Sequence, residues 1–146
     1  MNLILTINTI KKFEGFKPKP YYDGSSTWSV GYGFCRWNWR AVSSTYPISI
    51  TQEEAENYLF SLIENIYEQL SKVIKIPLND NQYAALISLV YNIGLSNFDK
   101  STLLQLINQS DLVGAANEFP RWCHSGGHVV QGLVNRRRDE MALFNE

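Results

Sequence analysis

Residues 11 to 34 read KKFEGFKPKPYYDGSSTWSVGYGF. Eight residues separate Glu14 from Asp23, and five more separate Asp23 from the hydroxyl of Ser29. Gly31, Tyr32 and Gly33 follow. Cleaving a glycosidic bond needs a protonated carboxyl that donates to the leaving oxygen. It also needs a second group that stabilises charge on the sugar or positions water. Two acids and a hydroxyl supply both. The same spacing also describes an ordinary polar loop with two surface acids and two turn glycines, and spacing alone does not separate the readings.

Such side chains need a frame. Leu5, Ile7, Ile10 and Phe13 suit a short helix over about residues 4 to 13, which leaves Glu14 at its end. Residues 21 to 50 are rich in Tyr, Ser, Thr, Trp and Gly, with DGSST as a turn signal, so short strands and hairpins are predicted. Asp23 then enters the sheet region and Ser29 lies within it. Trp37 and Trp39 alternate in period two and would share one face, either as a sugar platform or as closure of the small lobe.

Thr51 and Glu54 form a capping-box pattern. Ala55, Leu59, Leu62, Ile63, Ile66, Leu70, Val73 and Ile74 then recur at spacings of three and four, predicting a long amphipathic helix that ends before Pro77. Further helices are predicted over about 80 to 92, 101 to 108, 112 to 119 and 133 to 144. Gly94 stands past the first of these, and Asp111 and Pro120 bound the third. SGGHVVQG, from residue 125, reads as a loop, and Trp122 at a helix end is assigned to the core. The predicted class is α+β, in one domain spanning 1–146. A small sheet-containing lobe (about 12–50) and a helical lobe (about 77–146, with the N-terminal helix) flank a cleft. A long helix (about 51–76) joins them.

Composition narrows the partners. Of 146 residues, 45% are hydrophobic and 18% charged, which fits a globular chain. A net charge of −1 gives no reason to expect nucleic acid or an anionic membrane. No segment approaches the roughly 18 to 20 apolar residues of a membrane span. The start, MNLILTINTIKK, lacks a basic residue before its apolar run, and no signal peptide is expected. Cys35 and Cys123 form no CxxC, leaving two buried thiols or a disulfide as alternatives. His124 and His128 lack a third ligand, so no metal is expected there.

The polar-loop reading weakens once the surroundings are taken together. Glu14-Gly15, then Tyr21-Tyr22-Asp23, then Ser29-Val30-Gly31-Tyr32-Gly33 resemble the phage-type lysozymes, glycoside hydrolase family 24. The motif there has the form E-G, Y-x-D, T-x-G-Y-G-H, with matching spacings. The segments ITQEEAENYL, ALISLVYNIGLSNFDKSTLLQLIN and FPRWCHSGGHVVQGLVNRRRDEMALF extend the resemblance, in order, over nearly the whole chain.

The resemblance implies a lysozyme fold and cleavage of the β-1,4 bond between N-acetylmuramic acid and N-acetylglucosamine in bacterial peptidoglycan. It implies no cofactor, no metal and a monomer. Glu14 would be the general acid, with Asp23 and Ser29 orienting the water. Inversion would need carboxyls about 6.5–9.5 Å apart. Gly33, Asn92, Phe98 and Ser101 match substrate-contacting positions, and Arg136 matches an arginine that pairs with the catalytic glutamate. In the run Arg136 to Arg138, one side chain would face the cleft and two would be solvated.

Three departures bear on this. Ser29 replaces threonine, which keeps the hydroxyl but loses the β-methyl that stiffens χ1. Ser26 stands where a glycine is usual, suggesting a different hairpin tip. Phe34 stands where histidine is usual, at the expected cost of a polar interaction. Two rivals share the pattern: a wall-binding relative without chemistry, and a lytic transglycosylase giving 1,6-anhydro ends. Asp23 and Ser29 favour hydrolysis, because a transglycosylase has no water to hold. Phage endolysin, prophage remnant and delivered antibacterial toxin all fit the sequence.

Overall fold

In the computed structural model, which describes residues 1–24 and 26–146, two compact units emerge. One is Ile10–Leu62. The other joins Met1–Thr9 to Ile63–Glu146. Both divisions fall inside helices, α1 (Leu3–Glu14) and α2 (Gln52–Val73), so each of these helices contributes to both units. Ser25, within the predicted DGSST turn, lies outside the described residues.

In the unit Ile10–Leu62, α1 ends at Glu14, and the Gly15 amide closes its last turn on the Lys11 carbonyl at 3.1 Å. Strand β1 (Lys17–Tyr22) pairs antiparallel with β2 (Trp28–Gly31), setting Tyr21 opposite Ser29 and Tyr22 opposite Trp28. A bulge interrupts the register between Lys17 and Tyr21, which re-aims the end of β1. A two-residue hairpin follows, β3 (Arg36–Trp37) with β4 (Arg40–Ala41).

The hairpin corrects one expectation. Asn38 and Trp39 are its two central residues, with φ of 47° and 66°, and both fall in the left-handed region of a tight turn. The turn breaks the period-two alternation. Trp37 is buried while Trp39 is 93% exposed, so they share no face. Trp37 closes the small core, its ring 5.1 Å from Tyr58 and stacked at 6.0 Å on Phe34. Phe34 also meets Tyr58 edge-on at 4.7 Å. The position where histidine was expected is thus the hub of an apolar cluster. Ser26 has φ of 73°, so it keeps a glycine-like backbone despite its side chain.

The predicted capping box of α2 is present in full. The Thr51 amide donates to Glu54 Oε1 at 3.0 Å and the Glu54 amide to Thr51 Oγ1 at 3.1 Å. Ala55, Leu59, Ile63, Ile66 and Leu70 are its buried stripe, with Leu62 and Val73 half-buried at the flanks. Burying each large member contributes about 1.5–3 kcal/mol.

In the other unit, every residue of α3 (Asp80–Ile93) from Ala84 to Val90 is buried. An Asn79–Gln82 capping box that the sequence reading passed over starts the helix, and the Gly94 amide closes it on the Val90 carbonyl. Helix α4 (Leu95–Asp99) was not predicted. Helices α5 (Thr102–Asn108), α6 (Leu112–Ala116) and α7 (Gln131–Asn145) fall where helices were expected. However, α6 stops before Pro120, which sits in a 3-10 turn, Phe119–Arg121. SGGHVVQG is partly structured: β5 (His124–Ser125) pairs with β6 (His128–Val129) across Gly126 and Gly127.

Candidate active site

Glu14 is set by the end of α1, and Asp23 and Ser29 by the β1–β2 hairpin. Tyr21 links the three. Its hydroxyl is hydrogen-bonded to that of Ser29 and lies in the electrostatic field of both Glu14 and Asp23. Burial first, then the negative charges of Glu14 and Asp23, push the Tyr21 phenol above its ordinary value. The charges of both acids thus reach one phenol, which faces Ser29 across the ladder. The Tyr21 side chain is half-buried, Ser29 is 5% exposed, and Asp23 is exposed. The loop is closed at Asp23, whose amide donates to the Thr27 carbonyl at 3.0 Å and whose Oδ1 accepts from the Thr27 amide at 3.2 Å.

Gly-Tyr-Gly has a steric reason. Gly31 and Gly33 have φ of 66° and 79°, a region that side chains disfavour. A Cβ at Gly31 would stand 2.6 Å from the Phe34 ring. A Cβ at Gly33 would stand 2.8 Å from Glu14 Oε2. Gly33 therefore lets the backbone approach the carboxylate, while Gly31 lets it approach the Phe34 ring.

The remaining sequence candidates lie in the helical unit. Asn92 is exposed near the end of α3, on a cavity of about 490 Å³ lined also by Arg121, Trp122 and His124. Its Oδ1 accepts from Arg137 Nη1 at 2.8 Å, which turns the amide nitrogen away from the arginine. Ser101 borders a second cavity of about 310 Å³, but its hydroxyl donates to the Phe98 carbonyl at 2.6 Å and accepts from the Leu104 amide at 3.1 Å, capping α5. Phe98 is 0% exposed, so its ring offers no surface to a ligand in this conformation. Trp122, assigned to the core from sequence, is half-exposed and lines both cavities.

The arginine run is corrected. Arg136 and Arg137 are both buried, and Arg138 alone is exposed, beside Asp139. Both buried arginines converge on Glu140, itself 0% exposed: Arg136 Nε at 3.1 Å from Oε1, Arg137 Nε at 2.7 Å from Oε2. Ser88 donates to Glu140 Oε1 at 2.7 Å, and Arg136 Nη2 donates to the Ser88 carbonyl at 3.0 Å. Sequence reasoning missed Tyr21, Arg137 and Glu140. Their signals were the period-two spacing of Tyr21 and Asp23, and the spacings of three and four that bring two arginines to one glutamate.

Cys35 and Cys123 are free thiols. His124 and His128 are exposed on their hairpin. Among the described residues no helix is long and apolar enough to cross a membrane.

A helix ending on an acid, small antiparallel hairpins and a set of further helices are the elements of a lysozyme-like α+β fold. A model of the phage lysozyme family matches residues 11–140, and the chain belongs to that family. It is 40% identical over 141 residues to an endolysin of Bacillus phage PZA, covering 95% of this chain and 53% of that protein. The chain thus spans about half of that relative's length. Among solved structures it resembles an endolysin from Escherichia coli O157:H7 phage FAHEc1 (TM-score 0.88, 33% identity, 99% of this chain and 93% of that one). It also resembles the muramidase domain of SpmX from Asticaccaulis excentricus (TM-score 0.81, 28% identity, 97% and 95%).

Proposed function

We propose that this chain is a muramidase that hydrolyses the β-1,4 bond between N-acetylmuramic acid and N-acetylglucosamine in peptidoglycan, with inversion at the anomeric carbon. The observation that carries the reading is that Glu14 stands against Gly33 while its charge and that of Asp23 both reach the Tyr21 phenol, which faces Ser29 across the β1–β2 ladder. Glu14 acts as the general acid and protonates the leaving oxygen. Asp23 accepts a proton from the attacking water, and the Ser29 hydroxyl holds that water for attack on the opposite face of the ring. Gly33 keeps the backbone close beneath the acid, and Asn92 offers its amide nitrogen to a carbonyl or hydroxyl of the glycan. Arg136 is the supporting cation. Ser101 acts by bordering the cavity, and Phe98 acts beneath it through the carbonyl that holds the Ser101 hydroxyl. The chain works as a monomer and as the glycan-cleaving part of an endolysin, reaching the wall after release.

The test is a digest of purified sacculi in oxygen-18 water, with released muropeptides read by mass spectrometry. Label in reducing N-acetylmuramic ends is expected, and its loss in Glu14→Gln with wall binding retained. Unlabelled 1,6-anhydro ends would replace hydrolysis by transglycosylation. Binding without release by the unaltered chain would make it a wall-binding protein.

A further inference from the structure

Ser29 carries the hydroxyl on a side chain with no β-methyl to restrict χ1. A serine hydroxyl samples three staggered wells unless a partner selects one. Tyr21 stands directly opposite Ser29 in the β1–β2 ladder, so their side chains leave the same face of the hairpin. The two hydroxyls are hydrogen-bonded. Lys17 Nζ lies 5.2 Å from the centroid of the phenol ring, and the ladder shifts register between Lys17 and Tyr21.

We propose that Tyr21 is a positioning residue whose hydroxyl selects the single Ser29 rotamer that holds the hydrolytic water, supplying the restraint a β-branched residue would carry in itself. The role rests on the hydrolytic reading above. Tyr21 moves no proton in the reaction. Burial, and then the charges of Glu14 and Asp23, raise the phenol above its ordinary value and so favour the protonated form, which is both donor and acceptor. One of its hydrogen-bonding functions serves Ser29, and the other is left to the neighbouring acids or to water.

Two measurements test this. The first reads turnover of soluble peptidoglycan glycan strands by the unaltered chain, Tyr21→Phe, Ser29→Thr and the double variant. Tyr21→Phe is expected to lower kcat about tenfold with KM little changed, since a modest misplacement of a reacting group costs rate and not affinity. In the Ser29→Thr background the same change is expected to cost less than about twofold, because threonine restricts its own χ1. An equal loss in both backgrounds would make Tyr21 merely structural, and no loss in either would remove it from the site. The second measurement reads the Ser29 Hα–Hβ couplings by NMR, independently of turnover. One rotamer in the unaltered chain and averaged couplings in Tyr21→Phe are expected. Unchanged couplings would overturn the proposal even in a chain that cleaves nothing. Release of label by Glu14→Gln would instead overturn the assignment of the acid and leave the coupling result standing.

Discussion

Gly33 shows how much one missing atom can decide. Its φ of 79° and the 2.8 Å between a would-be Cβ and Glu14 Oε2 leave no room for a side chain. Gly33→Ala is expected to lower turnover by roughly one to two orders of magnitude, because displacing the acid by even a fraction of an ångström spoils its aim. Stability should fall by only about 1–2 kcal/mol, the cost of a left-handed alanine. Turnover and thermal midpoint, measured together, separate the two effects. Tyr21 offers a second check at this scale. Burial and the charges of Glu14 and Asp23 raise its phenol above the ordinary value of about 10. A group with a raised folded value stabilises the protein fully below its unfolded value. That contribution is lost as pH rises through the folded value. The Tyr21 ring carbon, followed by NMR, should therefore titrate late. Asp23→Asn should bring the titration earlier, and an unmoved midpoint would place the carboxylate out of range.

At the scale of the element, the β3–β4 hairpin separates two tryptophans that look alike in sequence. Trp37 belongs to the aromatic cluster with Phe34 and Tyr58, and Trp37→Ala should cost about 3–5 kcal/mol. Trp39 occupies a left-handed position with its ring in solvent. Trp39→Gly should raise stability by about 1 kcal/mol, because glycine adopts that backbone without strain. Denaturant midpoints decide both. If Trp39→Gly also weakens binding to sacculi, the exposed indole is a sugar contact and its strain serves function. The sequence reading could not see this, because an Asn-Trp turn lacks the glycine that announces a tight hairpin.

For the whole molecule, the buried Glu140 joins α7 to α3 through Ser88 and two arginines. Glu140→Ala should destabilise the chain by about 3–5 kcal/mol, since it strands two buried guanidinium groups. Arg138→Ala, on the exposed neighbour, should change stability by less than about 0.5 kcal/mol. Chemical denaturation of the pair checks the contrast.

The sequence by itself determined what local physics dictates. The 3.6-residue stripe of α2, the Thr51–Glu54 box, the Asp111 cap and the Gly94 stop were all legible, because each depends on neighbours within a turn or two. The motif from Glu14 to Gly33 was legible as spacing. Only the tertiary structure decided what depends on residues distant in the chain. It set Tyr21 opposite Ser29, made Phe34 the centre of a core, and buried two of three consecutive arginines on one glutamate. Burial and pairing across elements are properties of the packed chain. A residue's own type leaves them open until a strand register or a helix face has chosen its neighbours.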